Sequence, residues 1–450
     1  MNHSMKKNIP YIIVGVVLLG LALIGGPRKC YHEAASENTD TLLVSDEAFL
    51  PGDNTRSYET APARIQIFIE NSGSMNGYIN PVSEFKDALG KVIVKSDNFC
   101  QKTNLYFVNE QIYDVQETSL KGDATHFITN LSVESMKVGN TGSSNINNIF
   151  NMVLNKTKGD TISILFSDFV YSIQGTNVAN QIANAKNATM AAFMNAIKEN
   201  PDFATIILQC SSQFQGKYYD RKDQPIPYTG SRPYYIFIMG SYEHLLYIDK
   251  KLELNQTATG IPGLRNKYLL SSKTWLLDEN SVQPLTTSYT NSQLIKPERN
   301  GYNIDFMKFD KNERRWEFAY ALGIGNLFVD TSYLTDKANY DIEPDDIQLL
   351  KTEYTTDPAA TNEVTQFDSP LVLQFGMSRS TQTPNIKVRL LNNMPSWVKE
   401  ANISDDLGIV PAPSKTFAIG SLIEGIYEAF KAFTDNKPIF EFEIEINKYK

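Results

Sequence analysis

The chain has 450 residues, of which 42% are hydrophobic and 21% are charged, so it is long enough for two or more folded domains and is neither fibrous nor disordered. Its net charge is -9, and all 51 acidic residues follow residue 30, which argues against nucleic acid as a partner. Three cysteines without a CxxC pair, together with four histidines, indicate neither a disulfide framework nor a thiolate zinc site.

The amino terminus carries an uncharged, apolar run over residues 9–26, behind Lys6 and Lys7. This order is typical of an export signal. The run approaches the roughly 18 apolar residues of a marginal membrane span, and no small-residue cleavage site follows it. We therefore interpret residues 1–30 as a membrane anchor or uncleaved signal-anchor. The body of the chain is then predicted to lie outside the cytoplasm, in a periplasm or at a cell surface.

Residues 31–62 are rich in Glu, Ser, Asn and Thr, which predicts a flexible stalk between the anchor and the folded body. Cys30, just before the stalk, leaves lipid attachment open as an alternative anchor. The residues Pro27, Arg28 and Lys29 before it do not resemble a lipid-processing site, so the signal-anchor is preferred.

Apolar strands and amphipathic helices alternate from residue 63 to residue 255, the pattern of an α/β fold with a Rossmann-like, doubly wound, mostly parallel sheet. The predicted strands cover 65–70, 161–166, 203–210 and 234–239, and residues 105–115 are predicted to form a strand or a hairpin. The first helix is predicted to start at Asn80 and Pro81 and to bury Val82. Residues 213–233 lack periodicity and are predicted to be an irregular insert. Its three tyrosines, Tyr218, Tyr219 and Tyr228, either contact a partner or pack on their own domain.

Residues 256–450 contain more Thr, Asn, Tyr and Pro in short alternating segments, which predicts a β-rich second domain. Its last strand is predicted to bury alternate residues, namely Phe440, Phe442, Ile444 and Ile446. Before that strand, Ser421 and Glu424 have the spacing of a capping box and predict a helix start.

Oxygen-bearing side chains follow two of the predicted strands. Glu70, Ser72 and Ser74 come after the first strand, Asp168 follows the strand at 161–166, and Ser144 precedes a helix. Ligands in such sheets bind at the carboxyl ends of the strands, and hard oxygens suit Mg²⁺, Mn²⁺ or Ca²⁺. The alternative interpretation is that these side chains only cap turns by hydrogen-bonding backbone groups.

The order of these residues resembles a von Willebrand factor A domain, whose metal-ion-dependent adhesion site uses an Asp-x-Ser-x-Ser loop, a Thr from another loop and an Asp after a later strand. By this resemblance the metal ligands are Glu70 at the first Asp, Ser72 and Ser74 at the serines, Ser144 (or Thr141) at the Thr, and Asp168 at the last Asp. The sequence departs from the family pattern at Glu70, at Ser144, and at Phe169, where a Gly commonly follows the last Asp.

The resemblance implies a membrane-anchored, extracytoplasmic protein-binding module in which a divalent cation grips a carboxylate of a protein partner, with no catalytic residue required. Two alternatives stay open. One is a metal-dependent hydrolase or phosphatase, for which Asp123 is the candidate second carboxylate. The other is a structural envelope protein with an inactive metal site.

Overall fold

The computed structural model describes residues 60–79, 82–142, 145–171, 177–254, 259–273, 275–277, 280–294, 299–300, 303–309, 315–324, 329–367, 369–378, 385–407 and 413–448. The predicted anchor at 1–30, and the predicted stalk at 31–62 apart from its last residues, lie outside these ranges. In the ranges given, no helix is both long enough and apolar enough to cross a lipid bilayer.

The first half of the described chain builds a large sheet. Its strands are β1 (Arg64–Glu70), β2 (Lys102–Val108), β3 (Ile112–Asp114), β4 (Thr161–Ser167), β5 (Phe203–Tyr219), β6 (Pro225–Ser241) and β7 (Leu264–Ser271). Among the described residues they form a seven-stranded sheet in the order β3-β2-β1-β4-β6-β5-β7. β1 pairs in parallel with β2 and β4, and the other neighbours pair antiparallel. The sheet is therefore mixed, and the parallel arrangement that we predicted is confined to β2, β1 and β4.

Helices cover both faces of this sheet. They are α1 (Glu84–Phe99), α2 (Ala124–Asn130), α3 (Ile146–Lys156), α4 (Val178–Glu199) and α5 (Tyr242–Leu252). Successive side chains of a strand point to opposite faces. Ile65, Ile67 and Ile69 therefore pack in a core with α1, α2 and α5, whereas Phe68 packs with α3 and α4 on the other side. The predicted mixed α/β class is confirmed at this level.

α1 begins later than the sequence pattern predicted. Ser83, not Asn80, caps the helix, and its hydroxyl accepts a hydrogen bond from the Lys86 N–H at 3.2 Å. Val82 lies before the cap and is 85% exposed, so the prediction that it is buried is wrong. Ser is a favoured N-cap residue, and this cap sets the start of the helix.

The predicted irregular insert at 213–233 is wrong, because β5 and β6 form one long hairpin through it. The two strands keep an unbroken register from the Phe203–Ser241 pair to the Tyr219–Pro225 pair. Prolines and glycines in this stretch hide the alternation of a strand in the sequence, yet Phe214 and Tyr218 are buried in alternation with exposed neighbours. The far half of the hairpin extends past β4 and β7, over the carboxyl ends of the parallel strands.

The later part of the chain is rich in short strands. These are β8 (Trp275–Leu276), β9 (Val282–Leu285), β10 (Ser292–Leu294), β11 (Arg299–Asn300), β12 (Asn303–Phe309), β13 (Arg315–Leu322), β14 (Tyr340–Glu343), β15 (Ile347–Tyr354), β16 (Leu371–Ser378), β17 (Asn385–Leu390), β18 (Asn402–Ile403), β19 (Thr416–Phe417) and β20 (Phe440–Lys448). In the described ranges, one sheet has the order β10-β12-β20-β17-β14 with β8 and β11 at its side, and another has the order β15-β16-β13-β9. Four helices accompany them there: α6 (Thr331–Leu334), α7 (Pro358–Glu363), α8 (Ser396–Ala401) and α9 (Ile419–Thr434).

The terminal strand β20 has the predicted alternation. Its four apolar residues, from Phe440 to Ile446, are buried, and the strand lies between β17, which is antiparallel to it, and β12, which is parallel. The predicted capping box before it is wrong. α9 begins at Ile419 behind Ala418, so Ser421 and Glu424 lie inside the helix and do not cap it.

Two elements after residue 256 complete the layers of the first sheet. β7 is its edge strand, and α9 packs on the face that carries α4. The ring of Phe430 on α9 stacks on Phe203 of β5, with 6.3 Å between the ring centroids. The apolar core is therefore continuous from the large sheet into the later part of the chain.

Candidate metal centre

The loop after β1 places two serine hydroxyls side by side. A 3₁₀ helix, Gly73–Tyr78, begins three residues after the strand ends, and Ser72 precedes it without using its hydroxyl as a cap. The Ser72 and Ser74 Oγ atoms lie 3.0 Å apart, and both side chains are buried. The turn-capping interpretation therefore does not account for the Ser72 hydroxyl.

Buried amide groups hold this loop in place. The Asn71 Nδ2 donates to the carbonyl oxygens of Met136 and Val138, at 2.9 and 2.8 Å. The Asn109 Nδ2 in turn donates to the Asn71 Oδ1 at 3.1 Å. Satisfied amide networks of this kind fix a single conformation, because an unpaired polar group in the interior is costly. The serine pair is therefore presented by a rigid support.

The ends of β1 and β4 bring two carboxylates, Glu70 and Asp168, to the same edge of the sheet. The Ser167 hydroxyl donates to the carboxylate of Glu70, which links the ends of the neighbouring strands β4 and β1. Asp168 accepts a hydrogen bond from the Val170 N–H at 3.2 Å, and the Ser74 hydroxyl lies near enough to lower the pKa of Asp168. Ser72, Ser74 and Asp168 thus lie in one cluster, with Glu70 at the end of the neighbouring strand β1.

Burial dominates the electrostatics of this cluster. Asp168 is 3% exposed and Glu70 is 1% exposed. Burial raises the pKa of Asp168, and the hydrogen bonds from Val170 and Ser74 and the nearby Arg232 guanidinium oppose this rise only in part. Two carboxylates taken out of water at one place are stabilised by added positive charge.

The fourth predicted loop ligand, Ser144, lies outside the described residues, as does Ser143. Its alternative, Thr141, contacts the loop through its backbone, because its carbonyl oxygen accepts the Gly73 N–H at 3.0 Å. In the described part of the chain, no group of three or more His, Cys, Asp or Glu side chains is placed to hold a metal ion. The candidate donors are therefore two serine hydroxyls and two carboxylates.

The donors present suit a hard divalent cation. Neighbouring ligands of an octahedral Mg²⁺ at roughly 2.0–2.1 Å lie about 2.9 Å from each other. The Ser72 and Ser74 hydroxyl oxygens are 3.0 Å apart, so they match one edge of that octahedron. All the donors are oxygens, which favours Mg²⁺, Mn²⁺ or Ca²⁺ over Zn²⁺.

Phe169 stands at the position where a Gly commonly follows the last Asp in the von Willebrand factor A pattern. Its φ angle is +51°, in the left-handed region that favours glycine. The ring of Phe169 is fully buried, and its centroid lies 4.6 Å from that of Phe237 and 5.6 Å from that of Phe150. Aromatic packing therefore offsets the strain of a non-glycine residue directly after Asp168.

The far half of the β5–β6 hairpin covers the serine loop. A Cβ atom at Gly77 would lie 2.2 Å from the ring of Phe214, so the hairpin and the 3₁₀ helix are in close contact. At Gly73 the same atom would lie 3.4 Å from the Tyr219 hydroxyl. The hairpin therefore packs over the serine loop, and the side chains of the cluster are buried among the described residues.

Tyr218 is not an exposed contact residue, which corrects one of the two interpretations of the tyrosine-rich stretch. It is 3% exposed, and its hydroxyl donates to the carboxylate of Asp406. The guanidinium carbon of Arg232 lies 4.3 Å from the centroid of its ring. Tyr218 therefore packs within its own chain, whereas Tyr219 and Tyr228 are half-buried.

Sequence reasoning missed two residues of this region, Ser167 and Arg232. Ser167 directly precedes Asp168 at a strand end, so its position beside the predicted ligand was a usable signal. Arg232 lies in the stretch that we predicted to be irregular, and only the pairing of β5 with β6 brings it to the cluster. No protein-family model matches the chain, and no curated protein matches its sequence.

Proposed function

We propose that this protein is a membrane-anchored, extracytoplasmic binding module of the von Willebrand factor A type, which uses a divalent cation to hold an acidic group of a protein ligand. Ser72, Ser74 and Asp168 would hold the cation, and Glu70 would add negative charge through a bound water. An open coordination position of the cation would bind a carboxylate of the ligand. The membrane attachment is proposed from residues 9–26, which the sequence alone supports.

The observation that supports this proposal best is the convergence of Ser72, Ser74 and Asp168 at the carboxyl ends of the neighbouring parallel strands β1 and β4. This edge is where ligands bind in open α/β sheets. The hydroxyl spacing of 3.0 Å and the two buried carboxylates supply the geometry and the negative charge that a hard cation requires.

The hydrolase alternative receives less support. It needs a second carboxylate or a base that converges on the cation. Asp123, the candidate from the sequence, is an exposed helix cap whose carboxylate accepts the His126 N–H at 2.8 Å. Its carboxylate therefore has a structural use at the start of α2.

Calorimetric titration of the purified full-length chain with Mg²⁺ and Mn²⁺ tests the proposal. The wild-type protein is expected to bind one equivalent, and Asp168→Ala is expected to abolish binding because it removes a charged ligand. Glu363→Gln serves as the control, since it removes a carboxylate on α7 that takes no part in the cluster. Absence of heat at millimolar metal, or equal binding by the wild type and Asp168→Ala, would contradict the proposed function.

A further inference from the structure

Arg232 is a buried cation beside the candidate metal centre. It lies on β6 with 2% of its side chain exposed. Tyr78, the last residue of the 3₁₀ helix that carries Ser74, donates its hydroxyl to the carbonyl oxygen of Pro233, the next residue after Arg232 on β6, at 2.6 Å. The Arg232 guanidinium is also near enough to lower the pKa of Asp168. The positive charge of Arg232 is therefore part of the electrostatic environment of the cluster.

The other contacts of Arg232 fix its position. Its Nη1 donates to the carbonyl oxygens of Pro413 and Lys415, at 3.1 and 3.3 Å, and its guanidinium lies over the ring of Tyr218. Its Nε is buried and has no hydrogen-bond partner among the described residues. A buried donor without a partner is costly, so this atom marks a place where an acceptor would be favourable.

The positive charge of Arg232 opposes a cation at the cluster. Arg232, Asp168 and Asp406 all shift the pKa of Tyr218, so these charged groups share one buried region. In a low-dielectric interior a bound divalent cation and the Arg232 guanidinium repel each other, and a carboxylate that contacts both would offset this repulsion.

We propose that Arg232 makes divalent-cation binding at Ser72, Ser74 and Asp168 depend on an accompanying small carboxylate. The inference rests on the proposed function and specifies how its site works. Guanidinium groups bind carboxylates through directed N–H donors, and the Nε of Arg232 is available for that purpose.

The test is calorimetric titration of the full-length chain with Mg²⁺, in sodium chloride and in sodium acetate of equal ionic strength. Wild-type protein is expected to bind Mg²⁺ about tenfold more tightly in acetate, a coupling within the range usual for linked sites. Arg232→Met is expected to bind Mg²⁺ more tightly than the wild type in chloride and to lose the acetate effect.

Two further variants separate charge from structure. Arg232→Lys keeps the positive charge, so it is expected to retain the acetate effect even though it loses hydrogen bonds. Arg221→Met is the matched control, because Arg221 lies at the end of the same hairpin but pairs with Asp405, at 2.9 Å, and not with the cluster. It is expected to behave like the wild type.

The outcomes distinguish this inference from the proposed function. Wild-type binding of Mg²⁺ that is equal in chloride and acetate overturns the inference and leaves the proposed function in place. The same conclusion follows if Arg232→Met keeps the wild-type acetate effect. Absence of Mg²⁺ binding by every variant in both salts overturns the inference and the proposed function together. The wild-type comparison needs no variant, so it decides even if Arg232→Met fails to fold.

Discussion

Asp168 and Glu363 are two carboxylates that are held by hydroxyl and N–H donors, but their environments shift their pKa values in opposite directions. Burial would raise the pKa of Glu363, but hydrogen bonds from Thr286, Thr287 and Ser288 together lower it to about 2. The Glu363 oxygens accept the N–H groups of all three residues and the hydroxyls of both threonines. At Asp168, burial outweighs the donors, and the pKa is raised.

The difference lies in how many donors each carboxylate receives and how deeply it is buried. Glu363 sits half-buried at the end of α7, in a cradle formed after β9. Asp168 is 3% exposed and has fewer donors. A carboxylate with a full set of donors stabilises the fold by itself, whereas one with too few is suited to binding a cation.

The difference between Asp168 and Glu363 depends on the β5–β6 hairpin that covers Asp168. Gly77→Ala would disturb the packing of that hairpin. The added Cβ would lie 2.2 Å from the ring of Phe214, so the hairpin or the 3₁₀ helix must shift. We expect a loss of about 1–3 kcal/mol in the free energy of unfolding, as for other overpacked sites. Urea denaturation would measure it.

Gly73→Ala is the matched control for that experiment. Its Cβ would lie 3.4 Å from the Tyr219 hydroxyl, which is ordinary van der Waals contact. We expect its unfolding free energy to stay within about 0.5 kcal/mol of the wild type. If both variants are as stable as the wild type, the hairpin does not pack against the loop as described.

The sequence predicted the positions of Ser72, Ser74 and Asp168 better than it predicted the β5–β6 hairpin that covers them. Glu70 ends β1, Ser72 and Ser74 follow it, and Asp168 follows β4, so the rule that neighbouring parallel strands end at one edge was enough to place these residues at the same edge. The hairpin was missed because Gly216, Gly230 and three prolines interrupt the apolar alternation of β5 and β6. The pairing of β5 with β6 depends on contacts between residues that are distant in sequence, and a local sequence pattern does not predict such contacts.

The Glu363 cradle was not predicted either, and the reason is again sequence separation. Thr286 and Glu363 are 77 residues apart, and neither belongs to a recognisable motif. Helix α9 shows the opposite failure, because the spacing of Ser421 and Glu424 matched a capping box that the helix does not use. Local signals are therefore reliable at strand ends in this chain and less so at helix starts.

Glu363→Gln tests whether the hydrogen-bonded carboxylate of Glu363 stabilises the fold by its charge. A folded-state pKa of about 2, below the ordinary value of 4.5, means that ionised Glu363 stabilises the fold. This contribution is complete above about pH 4.5 and is lost as the pH falls towards 2. With allowance for solvent screening of a partly exposed group, we expect Glu363→Gln to lose about 1–2 kcal/mol at pH 7.

Unfolding free energies measured between pH 7 and pH 3 would check this. The difference between wild type and Glu363→Gln should shrink as the pH falls, because the wild type loses the same interaction by protonation. Glu400→Gln, at an exposed position on α8, is the control and should leave the pH dependence unchanged. A constant difference at all pH values would show that the charge of Glu363 is not what the cradle stabilises.

Asp168→Asn should change stability in the opposite direction, and by the smallest amount. The substitution keeps an oxygen that can accept the Val170 N–H, but it removes a charge that burial disfavours. In chelator, we expect the unfolding free energy to be unchanged or raised by up to about 1 kcal/mol. Chemical denaturation of Asp168→Asn and Glu363→Gln in parallel would measure the two changes in unfolding free energy, which are expected to have opposite signs. A clear loss of stability would mean that the electrostatic attraction between Asp168 and Arg232 outweighs the cost of burying the carboxylate, and both Asp168 and Glu363 would then stabilise the fold by their charge.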